Sequence, residues 1–161
     1  MIYILTGEIR SGKTTALLDW SLQKNNVDGL LCPDGKDGKR YFLKIKSQKQ
    51  FKLETELDIK GVISIGNFTF LQSAFKIAKD YLISIASNTE NQFLIIDEIG
   101  KLELKNEGLH HAAKKIIPKY EFHKSEHLIL VVRDYLLEDV LIKYGISQYM
   151  TLKKEGLGLL K

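Results

Sequence analysis

Met1-Ile2-Tyr3-Ile4-Leu5-Thr6, followed at once by Gly7-Glu8-Ile9-Arg10-Ser11-Gly12-Lys13-Thr14, is the stretch whose reading decides the fold. The first six residues make a short apolar strand. The next eight fit the spacing G-x-x-x-x-G-K-[ST], and Thr15-Ala16-Leu17-Leu18-Asp19-Trp20 then opens a helical pattern. A phosphate-binding loop needs this setting of strand, glycine-rich turn and helix. Gly7 and Gly12 let the backbone turn where a Cβ would clash, so successive N–H groups can face phosphate oxygens with the positive end of the helix behind them. Lys13 supplies a mobile full charge for the β- and γ-phosphates. The Thr14 hydroxyl is a hard oxygen ligand of the kind Mg²⁺ takes. The plain alternative, a glycine-containing turn with no ligand, explains neither the Lys-Thr pair nor its position at a helix start.

Outward from this loop, the chain alternates strands and helices. Residues 13–23 carry Ala16, Leu17 and Trp20 at helical spacing, and residues 27–32 read as a second strand. Residues 33–39 have turn chemistry and residues 40–45 look like a returning strand, so together they predict a β-hairpin insertion with a charged tip. Residues 46–61 are polar and weakly patterned, a connection with one irregular strand at most. Residues 62–66 suggest another short strand. Asn67 or Thr69 is then placed to cap a helix to about Ser87, with Leu71, Ala74, Phe75, Ala78 and Leu82 on one face.

Residues 92–96 are a continuous apolar run, expected of a central parallel strand covered on both faces, and Asp97-Glu98 follow at its carboxyl end. Asn106 suits the cap of a further helix that Pro118 would interrupt. Residues 127–132 form a second central strand before Arg133. Asp134 suits a helix cap, Gly145 a helix stop, residues 146–152 a last strand and residues 155–161 a tail. The alternation indicates an α/β fold with a mostly parallel sheet, in which ligands sit at the strands' carboxyl ends. Gly7, Asp97 and Arg133 should therefore meet at one edge.

The 161 residues, 44% apolar and 27% charged, suit one domain spanning residues 1–161. No apolar run reaches the ~18 residues of a membrane span, and the chain opens on a core strand rather than a basic cleavable leader. An intracellular, cytoplasmic protein with no membrane attachment is expected. Cys32 is the single cysteine, which excludes an internal disulfide and agrees with a reducing compartment. The net charge of +4 arises from 24 Lys and Arg against 20 acids. That surplus serves a polyanionic nucleotide, while nucleic-acid binding is possible but not favoured. Oligomeric state is open at this level. The four histidines, His110, His111, His123 and His127, lack ligand spacing with other donors, so no zinc is expected.

Asp97 and Glu98 complete the candidate site. An aspartate after an apolar strand partners the loop Thr in holding Mg²⁺. A glutamate one residue on would reach the γ-phosphate side and orient a water for in-line attack. Either acid could instead serve structure, Asp97 as a turn cap and Glu98 in an ion pair with Lys101. The adjacent acid favours hydrolysis over a nucleotide kinase, which needs no water-orienting Glu and usually has an arginine-rich lid. Two other readings stand beside hydrolysis: a nucleotide or small-molecule kinase, and a nucleotide-switched module associated with nucleic acid.

The loop, together with Ile95-Ile96-Asp97-Glu98-Ile99-Gly100-Lys101-Leu102-Glu103-Leu104, resembles the small broad-specificity P-loop nucleoside-triphosphatases, the cancer-related nucleoside-triphosphatase family. The Gly38-Lys39-Arg40-Tyr41 end of the hairpin is similar to that family's insertion. The resemblance implies a three-layer, RecA-like P-loop core and Mg²⁺-dependent hydrolysis of ATP, GTP and other nucleoside triphosphates. By motif match it implies phosphate-loop roles for Gly7 to Thr15, including Glu8, Ile9, Arg10 and Ser11. It makes Thr14 and Asp97 the metal-associated pair, Lys13 and Glu98 the catalytic pair, and Ile99, Gly100 and Lys101 neighbours of the nucleotide. Ile9 and Arg10 depart from the Pro and Gly the family often places there. Arg133 has two readings, a charge at the nucleotide or a partner for Asp134 or Glu138.

Overall fold

A computed structural model describes residues 1–57, 59–88 and 90–160. Its strands are β1 (Ile2–Gly7), β2 (Val27–Leu31), β3 (Tyr41–Lys44), β4 (Lys49–Lys52), β5 (Val62–Ile65), β6 (Phe68–Leu71), β7 (Phe93–Ile99), β8 (His127–Arg133) and β9 (Tyr149–Leu152). Its helices are α1 (Lys13–Leu22), α2 (Gln72–Ile85), α3 (Lys101–Leu104), α4 (His110–Glu121) and α5 (Leu137–Tyr144). Seven strands form one sheet in the order β4-β3-β2-β7-β8-β1-β9, and β5-β6 form a small separate hairpin. The five strands from β2 to β9 in that order run parallel, as the alternation of elements predicts.

Side-chain alternation along the central strands divides the core into two layers. Leu94 and Ile96 of β7, with Leu128 and Leu130 of β8, pack under α2, α4 and α5. Phe93 and Ile95, with Ile129 and Val131, pack against Leu17 and Trp20 of α1. Helices thus cover both faces, and residues 93–96 of β7 and 128–132 of β8 are continuously apolar because neither face meets water there. Close packing reaches its limit at Gly29 in β2. A Cβ there would lie 2.3 Å from the Ile95 carbonyl oxygen, at a φ of +146°.

Several local expectations are corrected. The predicted hairpin exists, but β3 pairs antiparallel with β2 through Leu30–Lys44 and Leu31–Leu43, so it widens the main sheet and is extended by β4. Residues 68–71 are a strand instead of the start of a helix, because Phe70 pairs with Ile63 and the Leu71 N–H donates to the Leu53 carbonyl. Neither Asn67 nor Thr69 caps α2, which begins after Leu71 with no side-chain cap. Asn106 takes φ 65° before α4 starts at His110 and does not cap it. Asp134 makes no cap bond and pairs with Lys153 at 3.5 Å.

Pro118 lies inside α4, which continues to Glu121. Pro118 and Lys114, whose carbonyl loses its donor, are both on the solvent face, where water can replace the bond. The buried stripe of Ile116, Ile117 and Tyr120 therefore runs through unbroken. The expected tail is a 3-10 segment, Lys154–Leu159, with Leu157 and Leu160 buried against the α1 layer; Lys161 lies outside the described residues. No helix among the described residues is long and apolar enough to cross a membrane.

Candidate active site

Strand order brings the sequence-predicted residues together. β8 lies between β1 and β7, and the register sets Gly7 beside Arg133 and Ile99 beside Val132. All three strands end at one edge, with the 7–15 loop above them.

The loop's backbone takes left-handed angles at Arg10 (φ 58°) and Gly12 (φ 82°). Arg10 thus fills a conformation that glycine usually occupies, and it lines the cavity described below. α1 then starts with the Ala16 N–H bonded to the Gly12 carbonyl at 3.0 Å. Lys13 is 7% exposed, and its ammonium donates to the carbonyls of Gly7 (3.0 Å) and Glu8 (2.6 Å) and to Ser11 Oγ (3.3 Å). It thus folds back inside the loop.

The Thr14 hydroxyl donates to Asp97 Oδ2 at 2.7 Å, and the Cys32 N–H donates to the same oxygen at 3.1 Å. Asp97 is 2% exposed. Burial, reinforced by the neighbouring Glu98 charge, pushes its carboxyl up to about 6. Glu98 Oε1 pairs with Arg133 Nη2 at 2.9 Å. Arg133 therefore bonds across the sheet edge to Glu98, while Asp134 is taken by Lys153. Lys101 places its ammonium 5.8 Å over the Tyr135 ring. Burial and then the Asp97 charge raise the Cys32 thiol well above its ordinary value, so it stays protonated and is a poor nucleophile.

These groups line a cavity of about 550 Å³. Ile9 to Thr15 form one side, and Cys32, Arg40, Asp97, Glu98 and Arg133 face them. Ile99 does not face it, since its side chain is wholly buried in the α2–α4 layer. Gly100 and Lys101 border a second, apolar cavity instead. Sequence reasoning undervalued Arg40, the only arginine of the hairpin, which lines the cavity. It missed Lys154, whose ammonium donates to the Ser11 carbonyl at 2.8 Å. It also missed Glu103, 4% exposed, which accepts the Gly100 N–H (2.9 Å) and the Leu109 N–H (2.8 Å). Glu103 stands three residues after Gly100 at the start of a helix, a spacing that marks half of a capping box.

A family model described as NTPase matches residues 2–148. The chain belongs to this NTPase family. The loop on β1 and the acids at the end of β7 are accordingly parts of a P-loop nucleoside-triphosphatase, a hydrolase. Among solved structures, the NTPase is similar to the crystal structure of THEP1 from the hyperthermophile Aquifex aeolicus. The TM-score is 0.75 at 16% identity, over 100% of this chain and 97% of that one, which shows a shared fold. No curated protein matches the sequence.

Proposed function

We propose that this NTPase hydrolyses ATP, GTP and other nucleoside triphosphates to the diphosphate and phosphate, with Mg²⁺ as its cofactor. The observation that carries the reading is the Thr14–Asp97 pair at 2.7 Å, set between the loop lysine and the Glu98–Arg133 pair. The donor set fits a hard divalent cation. A hydroxyl and a buried carboxylate converge, and Lys13 is turned to the loop carbonyls while Arg133 is paired with Glu98, so neither neutralises Asp97. Thr14 and Asp97 would hold the ion, which supplies positive charge against the phosphate oxygens.

The chain's own residues divide the remaining work. Loop amides and Lys13 bind the β- and γ-phosphates, Lys13 exchanging backbone carbonyls for phosphate oxygens. Glu98 accepts a hydrogen bond from the attacking water and orients it in line with the leaving oxygen. Arg133 fixes the Glu98 carboxylate and brings a positive charge to the γ side. Arg40 and Arg10 add charge at the rim, which offsets the repulsion between two acids and a polyanion.

Phosphate release from a panel of nucleoside triphosphates, with Mg²⁺ and with chelator, tests this. Glu98→Gln should retain nucleotide binding and lose roughly 10²–10⁴-fold in turnover. Unchanged turnover in that variant would remove Glu98 from the mechanism, and hydrolysis that persists under chelation would remove the metal.

A further inference from the structure

Beside the phosphate cavity lies a second one of about 190 Å³ that hydrolysis does not require. The two share Cys32, Arg40, Glu98 and Arg133 as a common wall. Beyond that polar wall the lining is mainly apolar, with four phenylalanines in it and the charged Lys101 and Glu103 on the α3 side. Phe75 meets Phe42 edge-on at 5.6 Å and Phe70 edge-on at 6.1 Å, and Phe68 stacks on Phe70 with the rings 3° from parallel. Arg40 reaches over the Phe68 ring at 5.6 Å, joining the polar wall to the aromatic one. Phe68 and Phe70 belong to β6, so the small hairpin outside the main sheet builds one side of this space.

Size and chemistry define an occupant. An apolar cavity of ~150 Å³ takes a benzene ring, so this one admits a single planar ring with a short substituent. Position defines its role. In-line displacement brings the nucleophile to γ-phosphorus from the side away from the β-phosphate. Glu98 marks that side, and the aromatic cavity opens on Glu98. A ring held there would present its substituent where water otherwise attacks, whereas the nucleoside of the bound triphosphate departs from the opposite end of the phosphate chain.

We infer that the cavity is an acceptor subsite for a small aromatic alcohol, to whose hydroxyl the enzyme transfers the γ-phosphoryl group. The inference rests on the proposed placement of the γ-phosphate at Glu98. In the step, the hydroxyl oxygen forms a bond to γ-phosphorus as the bond from γ-phosphorus to the bridging oxygen breaks. The bridging electron pair leaves with the nucleoside diphosphate, and the hydroxyl proton passes to the Glu98 carboxylate and then to solvent. Arg40 and Arg133 neutralise the transferring group, the duty that a longer arginine-bearing lid performs in kinases.

The test uses benzyl alcohol, 2-phenylethanol and 4-methylbenzyl alcohol as probes, with the full chain, Mg²⁺ and γ-labelled ATP. At least one probe should show saturation-transfer NMR contact with the wild type in the presence of a non-hydrolysable ATP analogue, and label should appear in its phosphate ester. Ile65→Trp, which fills the cavity from β5, should weaken probe binding and transfer by about tenfold or more while ATP hydrolysis holds. Ile65→Phe, a smaller filling of the same space that leaves Arg40 and Phe68 in place, provides a second variant and should have the same effect to a lesser degree. Absence of contact by all three probes overturns the inference. So does displacement of a bound probe by the ATP analogue, which would assign the cavity to the nucleobase. Label found only in inorganic phosphate overturns the acceptor role and leaves hydrolysis standing, whereas no turnover of ATP under any condition defeats both readings.

Discussion

Replacing Glu103 by Gln should make the stability difference between the two proteins depend on pH. Glu103 is buried, and its two carboxylate oxygens serve separate donors, Oε2 the Gly100 N–H and Oε1 the Leu109 N–H. Burial outweighs these bonds and lifts its carboxyl from an ordinary 4.5 to about 7. A carboxyl that binds its proton more tightly in the folded state contributes stability that is fully present below the unfolded value. That contribution is lost as pH rises through the folded value, because the native protein holds more protons over the window. At about 1.4 kcal/mol per pH unit, the loss between pH 4.5 and 7 amounts to roughly 3 kcal/mol.

Glutamine removes the titration but keeps one carbonyl oxygen, so one of the two N–H donors faces an amide NH₂ group. A buried donor left unsatisfied costs about 1–3 kcal/mol. At pH 5 the wild type should therefore be the more stable protein by about that amount, and by pH 8 the two should converge or invert. Urea unfolding of both proteins at pH 5, 6, 7 and 8 measures the gap, and taking the difference cancels other groups that titrate in the range. A gap that stays constant would show that Glu103 titrates as an exposed acid and would refute the burial argument. The consequence reaches the site, since Glu103 anchors Gly100 directly beyond the Asp97-Glu98 pair.

Arg133→Ala should leave the fold intact, free Glu98 from its ion pair and lower kcat by ~10²–10³-fold; steady-state kinetics with an unchanged kcat would exclude Arg133 from the chemistry. Thr14→Ala should raise the Mg²⁺ concentration needed for half-maximal hydrolysis, and a titration superimposable on the wild type would remove Thr14 from the metal site. Gly29→Ala should cost about 3 kcal/mol or more through overpacking, since its Cβ has no space against the Ile95 backbone; thermal unfolding at the wild-type temperature would contradict the close approach of β2 to β7. Leu157→Ala should cost about 2–5 kcal/mol, whereas a loss near zero in denaturant unfolding would mean that residues 154–160 do not pack on α1.

The parts legible in the sequence were those encoded by neighbours along the chain. Strand β1, the loop and α1 are one local unit whose glycine, lysine and threonine spacing is fixed by the turn itself. The apolar runs of β7 and β8 identified central strands for the same reason: burial on both faces leaves no alternation. Misreadings fell where a distant partner overrode local pattern. Residues 68–71 carry helix-capping chemistry yet pair with β5, and the sequence at 155–160 looks like a tail yet inserts two leucines into the core.

By itself, then, the sequence determined an α/β protein with a phosphate loop on its first strand and paired acids after a central one. Periodicity and turn chemistry are short-range properties, so one chain displays them. Tertiary structure alone decided that β8 lies between those two strands and delivers Arg133 to Glu98 across 35 positions of sequence. It decided that Arg40 faces the loop across the cavity and Lys154 bonds to it, and that four phenylalanines from three separate segments line a cavity beside the Glu98–Arg133 pair. Those pairings depend on strand order and on the direction of each side chain after packing, which the burial of the whole core sets at once.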